Sequence, residues 1–317
     1  MNRIPKQRLL IVLTKGKMNE IIFDNVSKKA RKMTLMSGVS FRLPSEAVSG
    51  IIGPMDSGKS TALKLISGLE KPDSGNVRFV DQTTGLDIGR PQMGILISGT
   101  GMYPNLSVYD HFQIKSRLMG LPFSDAEQLM EQFRITNIRN IRMGLLTLQL
   151  RNTVGIALAL MGNPPLILLD EPFTGFRYQD IDFIKAVLKS YQLEHHATLV
   201  IASRTTEEIA DITDAFIFLQ EGNLVKADTK DDIISNLPGY IKLVADPLQD
   251  AKDVLNAHEI FSYQTKGERV LYIFEKLDQV DEIRQILEDA GVAVTECAVV
   301  HDSMEDYFAS GRRGGVR

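Results

Sequence analysis

Two short stretches hold residues whose types and spacing could do chemistry. The first is Gly53-Pro54-Met55-Asp56-Ser57-Gly58-Lys59-Ser60-Thr61, between the apolar run Val48–Ile52 and a helical pattern from Thr61 to Ile66. The spacing G-x-x-x-x-G-K-[ST] in a strand–loop–helix context is a phosphate cradle. Gly53 and Gly58 let the loop, which also carries Pro54, Asp56 and Ser57, fold its backbone N–H groups around phosphate oxygens, and the helix N-terminus at Ser60 and Thr61 adds a favourable dipole. Lys59 is expected to reach the terminal phosphates and Ser60 to hold Mg²⁺. The second stretch is Pro165-Leu166-Ile167-Leu168-Leu169-Asp170-Glu171-Pro172. Four apolar residues running into a carboxylate put Asp170 at the C-terminal end of a buried parallel strand, where open α/β sheets bind ligands. From there Asp170 can complete the Mg²⁺ shell, and Glu171 can polarise an attacking water.

The elements that must position these groups are legible as an alternation of short apolar runs and helical patterns from about 18 to 237, the signature of α/β architecture. Strands are expected at Val48–Ile52, Met93–Ile97, Pro165–Leu169, Thr198–Ala202 and Ala215–Leu219, with a hairpin at Glu221-Gly222-Asn223. The region 105–150 reads as mainly helical. Asn236-Leu237-Pro238-Gly239 punctuates the end of this body, which we set at 18–239. An N-terminal extension precedes it (1–17). A smaller α/β unit follows (240–310), with a strand at Arg269–Phe274, an amphipathic helix at Gln279–Ala290 stopped by Gly291, a returning strand at Val292–Val300 and a short helix at 303–309. A Gly/Arg-rich tail, expected to be disordered, ends the chain (311–317).

The bulk composition narrows the partners. A net charge of −4 over 317 residues gives no electrostatic case for nucleic acid. The single cysteine, Cys297, excludes an intramolecular disulfide framework and fits a reducing compartment; it reads as a buried apolar residue. No run approaches the roughly 18 apolar residues of a spanning helix. The apolar patch Leu9–Leu13 lacks a following small-residue cleavage site, so no signal peptide is expected. The five histidines show no metal-ligand spacing.

On these residues the chain resembles the ATP-binding subunits of ABC transporters. Gly53–Thr61 is similar to their Walker A and Leu166–Glu171 to their Walker B. Lys71-Pro72-Asp73-Ser74-Gly75 sits where they carry a Pro-x-Ser-Gly turn, Tyr103–Val108 resembles the segment after the Q-loop, and Gly155–Pro164 matches the helix leading to Walker B. The tail ending Ser303-Met304-Glu305-Asp306-Tyr307-Phe308 looks like that of bacterial drug, antibiotic and bacteriocin exporter ATPases. The resemblance implies a P-loop NTPase of the ABC type: a parallel core sheet, an antiparallel β part, a helical subdomain and a small α+β C-terminal domain. It also implies ATP and Mg²⁺ as ligands, a separate membrane permease, and a dimer with itself or with an intact paralogue. The expected location is the cytoplasmic face of the membrane, bound peripherally.

The departures form a pattern. The family's Q-loop glutamine falls at Ser98, and its signature Leu-Ser-Gly-Gly-Gln falls at Leu146-Thr147-Leu148-Gln149-Leu150. Thr147 keeps a hydroxyl able to cap a helix, whereas Leu148 and Gln149 put side chains where glycine allows close approach. The D-loop aspartate is replaced by Arg177 and the switch histidine by Arg204, a permanent cation that can clamp phosphate but cannot shuttle a proton. Ala30 stands about where an aromatic stacks on adenine. Asp56 replaces a usual glycine inside the phosphate loop; Asp tolerates left-handed backbone better than most residues. Arg204 and Arg177 together are candidates to replace the missing contacts at the γ-phosphate, and a solvated surface role for both stands beside that reading. Two functions follow from the pattern: a transport ATPase with slow turnover, or a pseudo-ATPase that binds ATP as a regulatory or scaffold subunit.

Overall fold

A computed structural model of the chain describes residues 19–31, 33–81, 84–97, 101–301 and 304. The N-terminal extension over 1–17, Ser98, the tail over 311–317 and, Met304 apart, the helix expected over 303–309 lie outside the described residues. The chain divides into two compact units, Met1–Asp232 and Ile233–Arg317.

The first unit runs β1 (Asn19–Ala30), β2 (Met33–Leu43), β3 (Val48–Ile52), α1 (Lys59–Ser67), β4 (Ser74–Asp81), β5 (Met93–Leu96), α2 (Val108–Met119), α3 (Phe123–Gln132), α4 (Leu148–Leu160), β6 (Leu166–Asp170), α5 (Tyr178–His195), β7 (Thr198–Ser203), β8 (Ala215–Gln220) and β9 (Asn223–Thr229). Its main sheet has the order β5-β6-β7-β3-β8-β9. All neighbours are parallel except the β8–β9 hairpin. Every residue of β3, β6 and β7 is buried. Strands covered on both faces read as continuous apolar runs rather than alternating ones, which is why these strands stand out in the sequence. A second sheet, β2-β1-β4, is antiparallel throughout. Phe23 and Phe41 stack at 4.3 Å between its strands. Their rings share one core with Leu63, Leu65 and Ile66 of α1 and with Ile51, Leu168 and Val200 of the main sheet.

The helical part expected over 105–150 is α2, α3 and two 3₁₀ turns at Thr136–Ile138 and Met143–Leu145. Ser107 and Asp110 form a reciprocal capping box at the start of α2. No helix among the described residues is long and apolar enough to cross a membrane.

Helix α6 (Lys230–Asn236) straddles the division. The second unit continues with β10 (Gly239–Asp246), α7 (Leu248–Ala257), β11 (Tyr263–Thr265), β12 (Val270–Ile273), α8 (Val280–Asp289) and β13 (Ala293–His301). Its sheet, β11-β12-β10-β13, is antiparallel throughout, so the order β-α-β-β-α-β makes a split β-α-β motif. Ile241, Leu243, Leu271 and Ile273 point to one face, where Leu255 of α7 and Ile283 and Leu287 of α8 complete a separate core. Cys297, expected to be buried, is only partly so, because β13 is an edge strand of this sheet.

Candidate nucleotide site

Three adjacent parallel strands, β6, β7 and β3, end on the same side of the main sheet. That adjacency brings together groups far apart in sequence. The loop after β3 carries Gly53 to Gly58, the end of β6 carries Asp170 and Glu171, and the end of β7 carries Arg204. The cleft above them has a volume of about 730 Å³ and is lined by Asp56, Lys59, Ser60, Asp170, Glu171 and Arg204, with Met102, Leu148, Arg151 and Asn152 on the helical side.

The loop geometry depends on its glycines. A Cβ on Gly53 would lie 2.1 Å from the carbonyl oxygen of Leu219, and Gly58 sits at φ 104°, where only glycine is comfortable. Asp56 adopts φ 60°, the left-handed conformation a short polar side chain tolerates, and its carboxylate is exposed. In α1 the first helical hydrogen bond runs from the N–H of Ala62 to the carbonyl of Gly58. Helix geometry therefore leaves the N–H groups of Lys59, Ser60 and Thr61 without an intrahelical acceptor, at the positive end of the helix.

Of the loop residues expected to bind phosphate, Asp56, Lys59 and Ser60 line the cleft. Gly53, Pro54, Ser57, Gly58 and Thr61 do not line it. Ser57 is 1 % exposed and its hydroxyl is buried beside Gly53 with no hydrogen-bond partner, while Thr61 is buried in the first turn of α1. The Gly53 and Pro54 carbonyls accept from the Lys59 ammonium at 2.7 and 2.8 Å.

Lys59 is 5 % exposed and its Nζ lies 3.5 Å from Oε1 of Glu171. Burial holds the ammonium below the ordinary lysine range, and the Glu171 carboxylate opposes that shift. Burial raises Asp170 above the usual carboxylate range, against a hydrogen bond from Ser60 and the charges of Lys59 and Lys64. Burial likewise raises Glu171, against Lys59 and Arg204. Glu171 stands at φ 48°, with its N–H bonded to the carbonyl of Ala202 at 3.0 Å, so the backbone turns sharply as it leaves β6.

The residues present fit a hard divalent cation. Asp170 is buried and its Oδ1 has no hydrogen-bond partner, while the Ser60 hydroxyl bonds to the same carboxylate. A carboxylate and a hydroxyl at the mouth of a phosphate loop are the protein's share of a Mg²⁺ shell that waters and phosphates complete.

The structure separates the two arginines that sequence reasoning grouped. Arg204 lines the cleft, with Nε 3.5 Å from Oε1 of Glu171. Arg177 is exposed at the N-cap of α5 and does not line it. In the altered signature, Thr147 caps α4 by accepting from the N–H of Leu150 at 3.3 Å. Leu148 packs against Gly175, and the Gln149 amide donates to Asp180 at 3.0 Å. Ala30 is exposed at the end of β1. Sequence reasoning missed Arg151 and Asn152. Arg151 closes the first turn of α4, and Asn152 just after it ties the helix to the Thr174 carbonyl at 3.0 Å. Arg151 stands four residues after Thr147 and Asn152 four after Leu148, and that helical spacing is the signal that could have found them.

Residues 36–174 match the family model described as ABC transporter. A bacitracin transport ATP-binding protein of Enterococcus faecalis is 25% identical over 295 residues, covering 92% of this chain and 96% of that protein. A lantibiotic transport ATP-binding protein of Streptococcus pyogenes is 28% identical over 202 residues, covering 64% and 87%. Among solved structures, a dimeric bacterial ABC transporter cassette superposes with a TM-score of 0.58 at 23% identity, covering 66% of this chain and 98% of that one. A nucleotide-free cassette from an ABC transporter gives 0.56 at 21%, covering 69% and 94%. Residues 36–174 of this chain thus match the ABC transporter family, and the first unit has the fold of the ATP-binding cassettes.

Proposed function

We propose that the chain is the ATP-binding subunit of an export system, coupling Mg-ATP binding and slow hydrolysis to a separate membrane permease. The observation that carries this reading is the convergence of Lys59, Ser60, Asp170 and Glu171 on one cleft at the N-terminus of α1. The names of the relatives, bacitracin and lantibiotic transport ATP-binding proteins, support export of an antibiotic or bacteriocin-like compound.

In this reading the N–H groups at the start of α1 and the Lys59 ammonium hold the β- and γ-phosphates. Ser60 and Asp170 would hold Mg²⁺, which supplies charge neutralisation on the phosphates when bound. Glu171 accepts the proton of the attacking water as its oxygen bonds to the γ-phosphorus. The bond from that phosphorus to the bridging oxygen breaks, and ADP and phosphate leave. The raised proton affinity of Glu171 suits it to a base. No imidazole sits at the end of β7, where Arg204 stands, so proton transfer rests on Glu171 alone; this supports slow turnover.

A permease surface is supported by the apolar groove between β5 and α2, about 490 Å³, where Tyr103, Ile114 and Leu118 are 62%, 43% and 83% exposed. Such a patch marks an interaction site. Pairing into a dimer, with itself or with an intact paralogue, is supported by the dimeric cassette among the structural relatives. The pseudo-ATPase alternative differs in one measurement. Purified chain mixed with Mg-ATP should release phosphate slowly, at a rate that Glu171→Gln abolishes. A rate that Glu171→Gln leaves untouched, with ATP still bound, would transfer the reading to a scaffold role.

A further inference from the structure

Arg204 and Lys59 approach the same atom. Each places a nitrogen 3.5 Å from Oε1 of Glu171, one from the end of β7 and one from the start of α1. Both cations therefore hold the carboxylate by one oxygen, across the mouth of the phosphate loop. We infer that Arg204 is a positioning residue: with Lys59 it latches Glu171, and the terminal phosphate of a bound nucleotide releases the latch by drawing both cations away. The inference rests on the nucleotide-site reading above and names how that site is regulated.

The exposures fit a latch that opens. Lys59 is 5 % exposed and anchored by two carbonyls, whereas Arg204 is 53 % exposed and held to the protein side of the cleft by this contact at long range. An exposed ion pair is weak and easily exchanged. A phosphate offers the guanidinium fork more charge and a bidentate fit. Until phosphate arrives, Oε1 of Glu171 stays engaged by both cations. This role differs from an arginine that merely adds charge to the pocket, because it requires Arg204 and Glu171 to act as a unit.

A double-mutant cycle on the full chain tests it, with inorganic pyrophosphate as the probe and calorimetric Kd as the readout. If carboxylate and anion compete for the two cations, Glu171→Gln tightens pyrophosphate binding, and it does so less in an Arg204→Ala background. The expected coupling is at least about threefold in Kd, within the range for neighbouring groups that interact. Arg204→Lys, which keeps a cation of similar reach, should restore part of the coupling. Thermal unfolding checks that each variant folds, and Arg204→Gln replaces Arg204→Ala if the latter does not. Additive effects, or a coupling that Arg204→Lys does not restore, would overturn the latch while leaving the nucleotide site standing. A wild-type chain that binds neither pyrophosphate nor Mg-ATP would overturn the site reading itself, and the latch with it.

Discussion

The Lys59 ammonium lies 3.5 Å from the Glu171 carboxylate, joining the phosphate loop after β3 to the end of β6 through two side chains that are 112 positions apart in the chain (171 − 59). The pair sets the acid limb of any hydrolysis here. Glu171 must be ionised to accept a proton, and burial raises its pKa above the ordinary carboxylate value. Turnover should therefore fall as pH drops through a midpoint above the usual glutamate range. Glu171→Gln should remove that limb together with about 10²- to 10⁴-fold of the rate, while ATP stays bound. A steady-state pH profile of both proteins checks this.

Gly53→Ala should destabilise the first unit by about 3 kcal/mol or more, since the new methyl would meet the Leu219 carbonyl oxygen at 2.1 Å and neither backbone can yield cheaply. Chemical denaturation measures the loss. A variant as stable as the parent would mean that the loop and β8 do not approach as closely as described.

Lys115 on α2 donates to the Leu158 carbonyl, and burial lowers its pKa to about 8. The folded-state value lies below the unfolded one, so between about 8 and the lysine value of 10.5 the folded chain binds fewer protons. Its stability then rises with pH across that window, and the buried charge is a cost below it. Lys115→Met should abolish that pH-dependent gain and raise the melting temperature at neutral pH, the removed penalty being on the order of 3 kcal/mol. Thermal unfolding of both proteins from pH 7 to 10 reads the difference.

Thr147→Ala should cost about 1 kcal/mol, because it removes the side-chain cap on the N–H of Leu150 at the head of α4. Thr147→Ser should retain most of the stability. Equal losses in both would show that the hydroxyl is not the cap.

How much of this was legible in the sequence follows from how locally each feature is encoded. Strands β3, β6, β7 and β8 announce themselves, since burial on both faces demands unbroken apolar runs such as Leu166–Leu169. The phosphate loop and the Asp170–Glu171 pair were legible for the same reason: their backbone and side-chain requirements fall within a few residues. The long antiparallel strands β1 and β2 were less so. Their pairing is interrupted by register shifts between Phe23 and Lys29 that break a clean alternation. Strand β10 was hidden behind the Pro238-Gly239 turn, which reads as an ending yet leads directly into it. The arginines show the limit most clearly. Arg177 and Arg204 look alike as replacements in the sequence, and only the adjacency of β6 and β7 puts Arg204 on Glu171 and leaves Arg177 outside the cleft.

If the site works as proposed, the cleft binds a nucleoside triphosphate through Lys59 and the open end of α1. Equilibrium binding of Mg-ATP to the purified chain and to Lys59→Ala tests it most directly. Saturable binding by the parent is expected, with a loss of about 2 to 4 kcal/mol in the variant, roughly 30- to 1,000-fold in Kd, since removing a buried charged partner costs on that scale. Absence of binding by the parent, or equal affinity in the variant, would contradict it.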